Sequence, residues 1–306
     1  MFDRRRVALL ALLTVAWGVN WPVMKLGVTG FAPLSFRAIS MWIGLPVLWL
    51  VLRAMRVPLT IARRDWPQVA GLTFTNMLVW HVLAILSIQA LSSGRAAILG
   101  YTMPIFSALW GVALFGERLS ARHVAGIVAA GAGVSLLLWH ELGSLAGAPL
   151  AALGMLGAAA VWALGTQQMR RTTIAAPTLA IAFWMTAATA VTMTTLSVLF
   201  ESDRWTLPST PIWAAIVYNA VLIFGFAQPI WLVMARNLPP VASSMSVMMI
   251  PVLGTVAGAW WLGEQLHWQD GAAIVLVIAA IAAVMWPSRP ARVDGAATPP
   301  VPDRAG

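Results

Sequence analysis

Ten apolar runs, each of roughly twenty residues, follow one another along the chain with short links between them. They fall at about 7–28, 34–52, 67–89, 94–116, 119–139, 148–168, 177–200, 211–235, 241–263 and 268–286. A bilayer core about 30 Å thick needs about 20 helical residues at roughly 1.5 Å rise each. The runs are continuous rather than alternating, which favours helices over a barrel. Composition agrees: 60% of the residues are hydrophobic and 9% are charged. Soluble domains carry roughly 45–50% and about 25%. The expected fold is an all-α polytopic membrane protein with ten transmembrane helices. A disordered chain is excluded, because disorder needs low hydrophobicity and many charges.

The ends read differently from the middle. Residues 1–6, with Arg4, Arg5 and Arg6, precede an apolar run as in a signal peptide. No clear small-x-small cleavage site closes that run, and it continues through Trp17, Asn20, Trp21 and Pro22 to Val28. It is expected to stay as the first helix, with residues 1–6 a cytoplasmic N-terminal segment. Residues 287–306 are rich in Pro, Ala and charge and read as a disordered cytoplasmic tail. Cysteine is absent, so disulfides and thiolate metal sites are excluded.

A net charge of +9 raises the possibility of a nucleic-acid partner. The positions of the charges decide otherwise. With the N-terminus in the cytoplasm, fifteen of the nineteen Lys and Arg fall on the inner side. Arg95 and Arg204 fall outside, and Lys25 and Arg37 lie within spans. That is the positive-inside pattern. It supports an even number of spans, both termini in the cytoplasm, a multi-pass protein of the inner (plasma) membrane, and the lipid bilayer rather than nucleic acid as partner.

The chain also repeats itself. Shifted by 147 residues, 92–139 meets 239–286 with ten identities in 48 positions. Pro104 falls on Pro251, Gly111 on Gly258, and Gly116-Glu117 on Gly263-Glu264. At a shift of 145, Trp17 meets Trp162 and Lys25 meets Arg170. These matches divide the chain into five-helix units at 7–139 and 148–286. Five is odd, so the second unit enters the membrane from the opposite side. That is the inverted repeat of many secondary transporters.

The segment ALSSGRAAILGYTMPIFSALWGVALFGERLSARHVAGIVAAGAGVSLLL (90–138) resembles the second half of an EamA domain, of the drug/metabolite transporter superfamily. It has the small-residue entry to the fourth helix, the mid-helix Pro, the Gly-Glu exit and the Gly- and Ala-rich fifth helix. The segment 237–284 is similar but looser, lacking counterparts of Gly126, Gly131 and Gly133. The resemblance implies export of amino acids, other metabolites or drugs. Arg37 resembles the family's second-helix Arg, and Glu117 and Glu264 resemble its Gly-Glu pair.

Candidate residues for a substrate pathway follow from depth and polarity. Pro104 and Pro251 are expected to bend matching helices near mid-membrane, which marks a central site. Lys25 and Arg37 either snorkel to the interface or form a cationic outer vestibule for a carboxylate or phosphate. His81 lies at mid-depth and meets Gln228 at the 147 shift. It reads as a helix–helix hydrogen bond, a substrate contact or a proton-sensitive gate. Asn20, Asn76, Trp80, Tyr101, Trp162, Tyr218 and Asn219 are further candidates. Glu117 and Glu264 read as structural acceptors at helix exits. Rows such as Ser107/Gly111, Gly254/Gly258 and Ala125/Ala129/Gly133 let helices approach closely and leave a homodimer open. Met245, Met248 and Met249 read as core packing or an adaptable lining.

No P-loop, His-Glu-x-x-His, dinucleotide fingerprint or nucleophile elbow occurs. No catalytic residue, metal site or cofactor is therefore expected. The reading is a secondary transporter that exports a small, amino-acid-like amphipathic metabolite by alternating access. A sugar-phosphate or nucleotide-sugar exchanger would need several cations around the cavity. An intramembrane enzyme would need converging nucleophile and acid/base groups, and a non-transporting interaction protein would have a solid centre.

Overall fold

The computed structural model describes residues 4–118, 120–143, 148–237 and 240–285. The proposed tail and the side chains of Met245 and Met248 lie outside the described residues. Every described regular element is helical. In chain order they are α1 (Arg4–Val28), α2 (Pro33–Ala54), α3 (Trp66–Thr73), α4 (Val79–Ala90), α5 (Ser93–Gly100), α6 (Met103–Phe115) and α7 (Ala121–Gly143). Then come α8 (Pro149–Arg171), α9 (Thr178–Glu201), α10 (Thr210–Tyr218), α11 (Gln228–Asn237), α12 (Pro240–Leu262) and α13 (Trp268–Met285).

Two expected helices are not plain α-helices. A π-helical turn at Phe74–Leu78 joins α3 to α4, and a longer one at Asn219–Ala227 joins α10 to α11. A third, expected at 94–116, breaks in two. Its cause is Pro104, which lacks an N–H and whose ring crowds the carbonyl four residues back. The chain therefore closes α5 at Gly100 and restarts α6 with Pro104 in its first turn. Thr102 seals the break, donating from Oγ1 (2.6 Å) and from N (3.2 Å) to the Leu99 carbonyl. Pro251, by contrast, sits inside an unbroken α12. The two prolines thus hold matching sequence positions but different local structures.

Among the described residues, six helical segments are long and apolar enough to cross a membrane: Pro33–Ala54, Arg63–Ala90, Ser93–Phe115, Pro149–Arg171, Thr178–Arg204 and Thr210–Met234. Shorter apolar helices run over Ala121–Leu137, Met249–Leu262 and Trp268–Ala283. The outer surface carries bare apolar side chains such as Trp42, Trp49, Leu150, Leu199 and Trp260, the last 88% exposed. In water such a surface would drive aggregation; against lipid it costs nothing.

Packing interleaves the two halves of the chain. Helix α1 lies on α12 and α10, while α8 lies on α4, α5, α6 and the 74–78 turn. Helix α2 packs on α9 and on the 219–227 segment, and α9 packs on α3 and the 74–78 turn. Helices α7 and α13 pair with each other. Small residues make these contacts close. A Cβ on Gly165 would stand 2.8 Å from the backbone N of Asn76, and one on Gly44 2.8 Å from the Ala220 carbonyl oxygen. Gly133 faces Leu276 and Ala273, and Gly254 faces Ala97 and Trp21, so these small residues serve contacts inside the chain.

Candidate functional site

The two Gly-Glu pairs close their helices in the same way. Gly116 and Gly263 both have φ of 67°, the left-handed turn that glycine adopts without a Cβ penalty. The following amides return to the helix, from Glu117 N to Gly111 O (3.0 Å) and from Glu264 N to Gly258 O (3.4 Å). Gly111 and Gly258 leave room for the returning carboxylates. Glu264 then accepts from the N (2.7 Å) and Oγ (2.8 Å) of Ser93 and the N of Gly94 (3.4 Å), which caps the start of α5. Glu117 is half exposed and pairs with Arg171 at 2.6 Å. Glu264 thus caps a helix start, while Glu117 is the ion-pair partner of Arg171.

Lys25 is partly buried at a helix end. Its ammonium donates to the carbonyls of Ile88 (3.1 Å), Gln89 (2.9 Å) and Leu91 (2.8 Å). These are the unsatisfied carbonyls that end α4, and they use all three N–H donors. Close by in the fold, Arg95 pairs with Asp270 at 2.8 Å, tying α5 to α13.

Arg37 is placed quite differently. It is 2% exposed, so it does not snorkel. Its guanidinium donates to Asn219 Oδ1 (3.0 Å) and the Met24 sulfur (2.7 Å) and lies over the rings of Phe224 (5.6 Å) and Phe36 (5.9 Å). Its Nε has no partner among the described residues, and no carboxylate is paired with it there. A buried charge without a counter-charge is costly.

The π-helical segment explains this arrangement. In an α-helix, residues five apart point about 140° away from each other. A π turn bonds residues five apart and brings them onto one side. Asn219 and Phe224 are five apart, and both touch Arg37. Phe224 also meets the His81 ring edge-on at 5.3 Å. His81 is 3% exposed, and neither ring nitrogen has a partner among the described residues. It forms no hydrogen bond with Gln228, which donates instead to the Met77 sulfur at 3.2 Å.

A second cluster is aromatic. Trp80 meets Trp162 at a tilt (5.2 Å) and Trp21 edge-on (6.4 Å), Trp21 meets Tyr101 (6.3 Å), and Trp17 meets Trp231 (5.4 Å). Helical spacing ties the clusters together. Met77 and His81 share one face of the 74–90 helix, and Asn76 and Trp80 share its neighbour. Asn20 lies one turn before Met24 on α1, on the face that meets Arg37. The side-chain oxygens of Asn20 and Asn76 and the indole N of Trp231 also lack partners. Each such buried group costs about 1–3 kcal/mol unless something else satisfies it.

Several of the expected site residues thus gather inside the bundle: Asn20, Arg37, Asn76, Trp80, His81, Tyr101, Trp162, Asn219 and Gln228 are all in its interior. Lys25 stands apart at a helix end. Sequence reasoning missed Phe224, Met24 and Trp231, since nothing distinguishes them from many other apolar residues. It also missed Glu201, which is buried and accepts from Leu34 N (3.0 Å), Ser35 N (2.9 Å) and Ser35 Oγ (3.0 Å) to cap α2. Its place at the end of an apolar run was the available signal.

Comparison with known proteins bears on what such an interior does. The model of the EamA-like transporter family matches residues 5–139 and 149–286. A Bacillus subtilis (strain 168) protein, the uncharacterized transporter YoaV, is 26% identical over 86% of this chain and 89% of its own. An Escherichia coli (strain K12) protein, named a probable amino-acid metabolite efflux pump, is 23% identical over 91% of this chain and 94% of its own. A solved crystal structure shares the fold with a TM-score of 0.68 at 22% identity, covering 90% of this chain and 96% of that one. With its two halves both matched, the chain belongs to the EamA-like transporter family.

Proposed function

We propose that this transporter exports a small, amino-acid-like amphipathic metabolite across the inner membrane by alternating access. The observation that carries this reading is Arg37, a fully buried cation with no carboxylate paired with it among the described residues. An anionic group on the substrate would supply the missing counter-charge. The aromatic set around Trp21, Trp80 and Trp162 would hold the substrate's apolar part. The name of the Escherichia coli relative points the same way. A sugar-phosphate exchanger fits less well, because Arg37 is the one fully buried Lys or Arg among the described residues.

In this reading all ten apolar runs span the bilayer, as two inverted five-helix units, 7–139 and 148–286, with both termini cytoplasmic. The interleaved packing supports it. An exchange of the two halves maps α1 on α12 to α8 on α5 and α6, and maps α2 on 219–227 to α9 on the 74–78 turn. Proteoliposomes loaded with single amino acids and tested for counterflow check the function. Exchange of at least one apolar amino acid, lost in protein-free vesicles, is expected. No exchange with any amino acid would sink the substrate class.

A further inference from the structure

At one end of the bundle, charged groups bind the two halves of the chain to each other. Glu264, just past α12, accepts from the N and Oγ of Ser93 (2.7 and 2.8 Å) and the N of Gly94 (3.4 Å) at the start of α5. One residue further on, Arg95 Nε donates to Asp270 Oδ1 of α13 at 2.8 Å, with the two side chains 12% and 6% exposed. Asp270 also accepts from His267 N (2.9 Å), which caps α13. Glycine lets these surfaces meet: a Cβ on Gly94 would stand 2.9 Å from Thr255 Oγ1 of α12.

The repeat allows the opposite end to be compared residue by residue. Local geometry keeps the 147-residue register: Gly116 and Gly263 share a φ of 67°, and His123 accepts from Ser120 N (3.1 Å) as Asp270 accepts from His267 N. In that register Ser93, Gly94 and Arg95 fall on Pro240, Val241 and Ala242, and Asp270 falls on His123. Proline lacks both an N–H and a hydroxyl, and alanine carries no cation. Of the side chains that make the contact, only the carboxylate is kept, as Glu117. It is bound instead to Arg171, with both side chains more than a third exposed. A pair so exposed is screened by water and holds little.

We propose that Ser93–Glu264 and Arg95–Asp270 form a latch that holds the empty transporter shut at the Glu264 end, because the sequence supplies no matching groups at the other. This inference rests on the alternating-access reading above and not on the substrate class. In an inverted repeat the two access states exchange the roles of the halves, so equal halves would give states of equal energy. The latch breaks that balance on one side. With the assigned orientation it closes the outer face, so the empty protein opens to the cytoplasm, where an exporter loads. Opening outward must part α5 from the α12–α13 turn, and bound substrate has to offset that loss.

The test follows a single introduced cysteine, Ala97→Cys, one turn into α5 and fully buried against Gly254. A hydrophilic maleimide is added to the purified protein in detergent, where reagent reaches both ends. Ser93→Ala with Asp270→Asn is expected to speed labelling of Ala97→Cys by about tenfold or more, the weight of one charge-assisted hydrogen bond. Ala190→Cys, buried on α9, is the control. An equal rise there means general loosening and overturns the latch. The reciprocal set, Pro240→Ser, Ala242→Arg and His123→Asp, builds the same groups at the other end and is also expected to speed labelling of Ala97→Cys. An unchanged rate overturns the role given to the missing groups. If either set does not insert, the other decides. Amino-acid counterflow by the unaltered protein, with labelling unchanged in the variants, overturns the latch alone. Labelling that responds as expected without any counterflow overturns the substrate class and leaves the latch. Absence of both responses overturns the latch and the transport reading together.

Discussion

Arg37 sits within α2 and Glu201 caps the start of that helix, yet the two have opposite energetics. Arg37 is buried without a counter-charge, and Asn219 and a methionine sulfur only partly replace its water. Replacing a buried, uncompensated charge by an apolar group of similar length commonly stabilises a protein. Arg37→Met is therefore expected to raise the unfolding midpoint in detergent while export falls at least tenfold. A fall in both would mean that the guanidinium holds the fold instead. Glu201 is fully satisfied, and its removal orphans two amides at the start of α2, while the Ser35 hydroxyl keeps its bond to Ser197 Oγ (2.6 Å). At about 1–3 kcal/mol for each unsatisfied buried donor, Glu201→Ala should cost about 3 kcal/mol of stability. Denaturant titration in micelles measures this. A loss below about 1 kcal/mol would show that water reaches the helix end.

At the scale of elements, the two π-helical segments matter most. They sit in the third and eighth apolar runs and overlap at the 147-residue shift. Both are packed against by glycine. Gly165 lies on the 74–78 turn and Gly44 on the 219–227 turn, each close enough that a Cβ would meet backbone atoms. Backbone cannot swing aside as a flexible side chain can, so overpacking here costs about 1–3 kcal/mol. Gly165→Val is accordingly expected to lower thermal stability and to displace Asn76, with reduced transport. Gly71→Ala, with nothing near its Cβ, serves as the silent control. Equal behaviour of the two variants would refute the close-packing argument. The Pro104 break and the continuous Pro251 helix show that one repeated residue can serve two local structures.

At the scale of the whole molecule, the proposed orientation rests on the placement of the charges. With both termini in the cytoplasm, a reporter fluorescent only in the cytoplasm should glow when fused at either end. The chain has no cysteine, so single introduced cysteines report accessibility on a clean background. Asp203→Cys should react with an impermeant reagent added outside intact cells, and Arg63→Cys only after permeabilisation. The reverse pattern would overturn the assigned orientation. The same cysteines leave the interior untouched, so transport should persist in both variants.

Apolar run length and residue motifs are one-dimensional properties, so the all-helical membrane fold and the family were legible in the residues themselves. The Gly-Glu helix exits were legible too, since a left-handed glycine followed by an acceptor is a local device. Partnership was not. Lys25 and Arg37 look alike in sequence, both basic and both within spans. Only tertiary packing sets Lys25 on the open carbonyls of α4 and leaves Arg37 without a carboxylate. The π turns were equally hidden, because the extra residue per turn is selected by packing against Gly44 and Gly165 rather than by local propensity. Sequence determined which polar groups fall within the apolar runs. The tertiary structure decided which of them are satisfied, because hydrogen bonding and charge pairing depend on distances between helices far apart in the chain.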